Sequence, residues 1–236
     1  MSEAVQMVAV FLTGFVVAVV VQLLRWSIAM VENGRLALLY YLLGATLDGS
    51  APDLGAAFAW YLLSSALLAC AAVGVALRVT HTKGSGLPSL IAYLNGIKLR
   101  GFTSVRVLVA KFIATVLAVS SGLCLGPEGP IIHMGGCVGK QALRALYYLD
   151  SVTCFSGLQE LRSDLDKVNF VALGAGAGVA AAFSAPISGT LFVVEEACSF
   201  FSLPLLWRAF SAAMVATRLG LGLGSHLLIA TTRTLP

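Results

Sequence analysis

Glu128 is the residue of this sequence with the clearest chemical potential. It stands between two Gly/Pro pairs, Gly126-Pro127-Glu128-Gly129-Pro130. A run without charge from Phe112 to Pro127 precedes it, and the apolar Ile131 and Ile132 follow. A lone carboxylate inside an apolar run is costly and marks a functional position. Glycine allows close backbone approach, and proline suits the first turn of a helix, where its missing N–H is not needed. The segment therefore reads as a helix N-terminus, with Glu128 beside unpaired N–H groups and the positive end of the helix dipole. Such an end is an anion site. The glutamate can fill that site itself, or swing away and leave it to a solute.

A second candidate is Gly84-Ser85-Gly86-Leu87-Pro88, followed by the short stretch from Ser89 to Gly96. Gly-Ser-Gly permits close approach, Pro88 can open a helix, and Asn95-Gly96 ends it before it is long enough to span a membrane. Transporters build ion sites from half-helices whose N-termini point inward. An ordinary cytoplasmic turn has the same composition and stands as the alternative. The third candidate is the pair Glu195 and Glu196. Adjacent on a helix, they project about 100° apart and cannot form a facing acid–base dyad. One can face an aqueous path while the other is structural, or both can sit at the membrane edge near Arg208.

Other reactive residue types are dispersed. Cys70, Cys124, Cys137, Cys154 and Cys198 include no CxxC pair, and His81, His133 and His226 have no ligand spacing. The cysteines read as small buried hydrophobes, and neither a metal site nor a cofactor is expected. No nucleophile–base pair or phosphate loop points to an enzyme. Gly174-Ala175-Gly176-Ala177-Gly178 looks like a dinucleotide loop only at a glance. Val179 stands where the final glycine would be, and close helix packing through small residues is the better reading.

The chain that must position these residues has 236 residues, 58% hydrophobic and 11% charged, with a mean hydropathy of +0.92. A soluble domain is about one quarter charged, so this is an all-α polytopic membrane protein in contact with lipid. A formal charge of +4 suits basic cytoplasmic loops, and no basic, aromatic cluster of the nucleic-acid-binding kind is present. The N-terminus lacks the basic region and cleavage site of a signal peptide, so its apolar run is expected to be a retained span.

Taken in order, Ala4 to Leu24 is the first span, continuing amphipathically to about Met30. Val31 to Asp53 reads as a polar connection with a short interfacial piece, and Leu54 to Leu77 as the second span. From Arg78 to Lys111 the chain carries Arg78, Lys83, Lys98, Arg100, Arg106 and Lys111 without an acid. The positive-inside rule puts this stretch, and hence the N-terminus, in the cytoplasm. Arg106 to Gly122 and Glu128 to about Tyr148 are the next helices, and Asp150 to Lys167 is an exposed polar connection. Asn169 to Val194 breaks at Ser184-Ala185-Pro186. Pro204 opens a last helix to about Leu221, ahead of the glycine-rich run Gly220 to Gly224.

Together these motifs resemble the CLC family of chloride channels and chloride/proton exchangers, in its exchanger-like, eukaryotic intracellular form. The family's three N-terminal signatures correspond to Gly84-Ser85-Gly86-Leu87-Pro88, to Gly126-Pro127-Glu128-Gly129-Pro130, and to Ala180 through Glu196, in the family's order. The resemblance implies the first of two inverted repeats, built with broken and half-membrane helices. Residues 1–221 would form that repeat, and residues 222–236 would be a truncated connection to a missing second one. It implies that Ser85, Gly86 and Gly129 bind the anion, that Glu128 is the gate, that Glu196 is the internal proton acceptor, and that Glu195 is a structural acid. Chloride and protons are the implied substrates, and a homodimer in an intracellular membrane is the implied assembly. A passive chloride channel, or a non-transporting half-protein associated with a full-length partner, is the alternative. Two departures stand out: Ser89 replaces the family's usual acid, and Pro127 replaces the usual Lys or Arg.

Overall fold

The computed structural model describes residues 2–44, 54–153, 164–197 and 203–232. Eight α-helices occur there: α1 (Ser2–Gly44), α2 (Leu54–Arg78), α3 (Leu87–Leu94), α4 (Val105–Ser120), α5 (Glu128–Thr153), α6 (Asp164–Phe183), α7 (Pro186–Phe192) and α8 (Leu203–Thr232). A 3₁₀ turn at Thr80–Thr82 precedes α3, and a π-helical turn at Val193–Ala197 follows α7. Among the described residues there is no strand. Gln6–Leu43, Leu54–Arg78 and Leu165–Phe183 are long and apolar enough to cross a membrane. By contrast, the 8 residues of α3 reach only about 12 Å.

The core forms around α5 and α6, which make the most intimate helix pair. Their contact depends on absent side chains. A β-carbon on Gly139 would fall on the Phe170 carbonyl oxygen, and one on Gly174 would fall on that of Gly135. Ala175 and Ala177 beside them are fully buried. The glycine-alternating run of α6 is thus a packing surface, as small residues allow in lipid. Helix α1 packs in turn on α8, where Gly14 faces the Ala212 carbonyl and Val215. The Arg25 guanidinium of α1 donates to the carbonyls of Ala181 (3.1 Å) and Ala182 (2.7 Å). It satisfies acceptors that the end of α6 leaves open and sits at the negative end of that dipole.

The break between α6 and α7 follows from local chemistry. Ser184 adopts a left-handed φ of 54°, and the Ala185 N–H bonds back to the Ala180 carbonyl at 3.1 Å. This is a Schellman closure, after which Pro186 starts the next helix.

Three expected boundaries differ from those observed. Of the stretch Asp150 to Lys167, expected to be a connection, the first residues belong to α5 and Asp164 to Lys167 to α6, while 154–163 lie outside the described residues. Residues 31–44 continue α1 as one helix and are not a loop. Arg35, 8% exposed, donates to the Ser121 carbonyl (2.6 Å) and to Ser65 Oγ (3.0 Å), and lies over the Tyr61 ring. Those tertiary contacts hold the charged stretch in helical form. Helix α8 likewise runs through Gly220 and Gly222 to Thr232. Breaking a helix in apolar surroundings would leave backbone groups without partners, which outweighs the weak helix propensity of glycine.

Candidate anion site

Two helix N-termini meet at the candidate site. Gly84 and Gly86 both have positive φ (66° and 80°), which bends the chain around Ser85 and delivers it into α3. The Ser85 hydroxyl accepts from the Leu87 N–H at 3.3 Å, Pro88 has no N–H to satisfy, and the Leu90 N–H closes the first turn on the Gly86 carbonyl at 2.9 Å. At the start of α5, the Ile131 N–H reaches the Pro127 carbonyl at 2.9 Å. Glu128 and Gly129 are then the positions whose N–H groups precede the helical ladder, because Pro130 has none.

The two ends touch. A β-carbon on Gly129 would lie 2.7 Å from Ser85 Cβ and 3.7 Å from Ser85 Oγ. The Glu128 carboxylate folds back over Gly126, where a β-carbon would collide with its Oε2. Ser85 and Glu128 are both exposed on this face of the chain. The arrangement gives one small region two positive dipole ends, a hydroxyl and a carboxylate. A cavity of about 350 Å³ opens beside it, lined by Gly84, Ser85, Gly126 and Pro130 together with residues of α2 and α4, including Lys111 and Thr115.

Directly behind the Ser85 turn lies a feature absent from the sequence reading. Lys111, 2% exposed, donates from Nζ to His133 Nδ1 at 2.9 Å, and His133 is fully buried. His133 Nε2 meets the Phe102 carbonyl at 3.3 Å, and the two rings stack at 4.1 Å. A carbonyl can only accept, so Nε2 carries the proton and Nδ1 is the acceptor for lysine. A β-carbon on Gly86 would be 2.6 Å from Lys111 Nζ and would also strike His133 Nδ1. Lys111 is therefore not one of the loop charges with which it groups by position; it is a buried cation in α4. An isolated lysine within the apolar pattern of that helix is the signal that identifies it.

Glu195 is exposed on the π turn after α7, and Glu196 follows it on the same turn, with its side chain outside the described residues. π turns are uncommon and gather at functional positions. Arg208 is engaged by Gln6 of α1. Among the described residues no group of three or more His, Cys, Asp or Glu is arranged to hold a metal.

The chain is a helical membrane protein in which two helix N-termini meet beside an exposed carboxylate. Residues 55–234 match the family model described as Voltage gated chloride channel, and the chain belongs to that family. It is 47% identical over 166 residues to Chloride channel protein D of Dictyostelium discoideum, covering 70% of this chain and 16% of that protein. To the H(+)/Cl(-) exchange transporter 7 of Homo sapiens it is 37% identical over 161 residues, 67% of this chain and 20% of that one. The chain thus spans about a fifth or less of these curated relatives. The crystal structure of a eukaryotic CLC transporter superposes with a TM-score of 0.75 at 23% identity, covering 92% of this chain and 38% of that one. The fold is accordingly the CLC transporter fold, of which this chain forms a part.

Proposed function

We propose that this chain contributes the chloride site and the gate of a chloride/proton exchanger. Ser85, Gly86 and Gly129 bind the anion, Glu128 alternates with it, and Glu196 accepts protons from the inner side. The observation that most supports this reading is the direct contact of Ser85 with Gly129 while the Glu128 carboxylate lies over Gly126. Hydroxyl, helix ends and competing carboxylate then share one small volume. Helices α1–α8 act as one membrane repeat. The N-terminus is cytoplasmic, because the stretch from the end of α2 to the start of α4 carries Arg78, Lys83, Lys98, Arg100 and Arg106 without an acid. The working assembly is a homodimer in an intracellular membrane.

A passive chloride channel is the second reading. It is favoured by the relative named Chloride channel protein D, at 47% identity. Reconstitution of the full-length protein in liposomes separates the two. An exchanger drives proton uptake when chloride leaves down its gradient, whereas a channel moves chloride with no proton movement. Absence of any chloride flux would overturn both.

A further inference from the structure

Lys111 and His133 are buried polar groups for which the gate and the proton acceptor have no use. Among the described residues the Lys111 side chain has no carboxylate partner; its recorded bond is to neutral imidazole. A buried cation without a counter-charge is costly unless a solute supplies one. The ammonium is also aimed. Its nitrogen lies against Gly86, and Lys111 is among the residues that line the cavity Ser85 and Gly126 share. The aim depends on the imidazole, which is fixed by its bond to the Phe102 carbonyl and by stacking on the Phe102 ring. Position 86 must be glycine both for its φ of 80° and because any β-carbon would push the ammonium and the imidazole away.

We propose that His133 is a positioning residue that holds the Lys111 ammonium against the back of the Ser85–Gly86 turn, where its charge raises the affinity of that turn for chloride. This rests on the transport reading above. His133 touches neither the anion nor the gate; it acts through lysine. Removing the Nδ1 acceptor frees the ammonium to leave the back of the Ser85–Gly86 turn. The charge is kept, but its distance from the anion grows.

The test uses the full-length protein in liposomes, with half-saturating chloride measured separately from maximal flux. His133→Leu keeps volume and loses the acceptor, whereas His133→Asn keeps an acceptor oxygen near the position of Nδ1. Moving a unit charge a few ångströms away inside a protein predicts about a tenfold rise in half-saturating chloride for His133→Leu. His133→Asn should stay within about twofold of the unmutated protein, and Lys111→Met combined with His133→Leu should be no worse than Lys111→Met alone. A merely structural histidine would lower maximal flux and melting temperature in both His133 variants and leave half-saturation unchanged, which overturns the proposal. If His133→Leu does not reach the membrane, Lys111→Met carries the test: half-saturation within twofold of the unmutated protein overturns the proposal as well. Loss of all dependence of flux on Ser85 and Glu128 would instead sink the transport reading, an outcome distinguishable from the first.

Discussion

Ser85 rests on Gly129 so closely that a β-carbon on the glycine would stand 2.7 Å from that of the serine. The ends of α3 and α5 are therefore locked to each other, and a change at one residue is transmitted to the other. Gly129→Ala should lower the melting temperature of the detergent-purified protein, by the equivalent of about 1–3 kcal/mol for an overpacked contact. Ser85→Gly in the same background removes the clashing carbon and should recover most of the loss without restoring anion preference. Recovery of neither would mean that the two ends separate easily.

Selectivity should follow the hydroxyl. Ser85→Pro removes the group that accepts from the Leu87 N–H and also a backbone donor at the turn. The preference for chloride over nitrate should fall in a liposome flux assay while total anion flux persists. An unchanged preference would count against Ser85 as an anion ligand.

Arg35 secures the turn that leads into the Glu128 segment. Its guanidinium bonds the Ser121 carbonyl and Ser65 Oγ and covers Tyr61, and a β-carbon on Gly122 would be 2.8 Å from its Nη2. Arg35→Met leaves a buried carbonyl without its charged donor, a loss of roughly 1–3 kcal/mol. Arg35→Lys should recover only part of this, because one ammonium cannot reproduce the planar fork. Thermal unfolding in detergent checks the order unmutated, Lys, Met; equal stability of all three would remove the role.

The features that punctuate the chain were legible. Pro127 and Pro130 around Glu128, Gly84 and Gly86 around Ser85, and Ser184-Ala185-Pro186 each act through local backbone restriction, so their sequence positions coincide with helix ends. What depends on distant partners was not legible. The continuation of α1 past Val31 needs Ser65 and Ser121, residues of other helices. Lys111 resembles a loop cation until His133, 22 residues away, is seen to accept its hydrogen bond. The contact of Ser85 with Gly129 joins two turns that spacing alone does not bring together.

Coupling to protons is the property that separates the two readings. Glu128 lies over Gly126 at the start of α5; on the exchanger reading, the helix end that attracts chloride also holds its carboxylate. On that reading, replacing the carboxylate by a neutral group weakens the hold and releases the side chain. A second acid must then bring protons from the inner side by a route distinct from the anion path. Glu196, on the π turn after α7, is the proposed donor. In the full-length protein, Glu128→Gln should keep anion flux and lose proton coupling, because an amide cannot carry the proton. Glu196→Gln should likewise stop proton movement with some anion movement remaining. Glu195→Gln, at the exposed neighbouring position, should retain coupling and change expression more than transport. A pH electrode recording chloride-driven proton uptake by liposomes makes the measurement. Stoichiometric uptake preserved in Glu196→Gln would remove its relay role, and absence of uptake in the unmutated protein would leave the passive channel as the reading that stands.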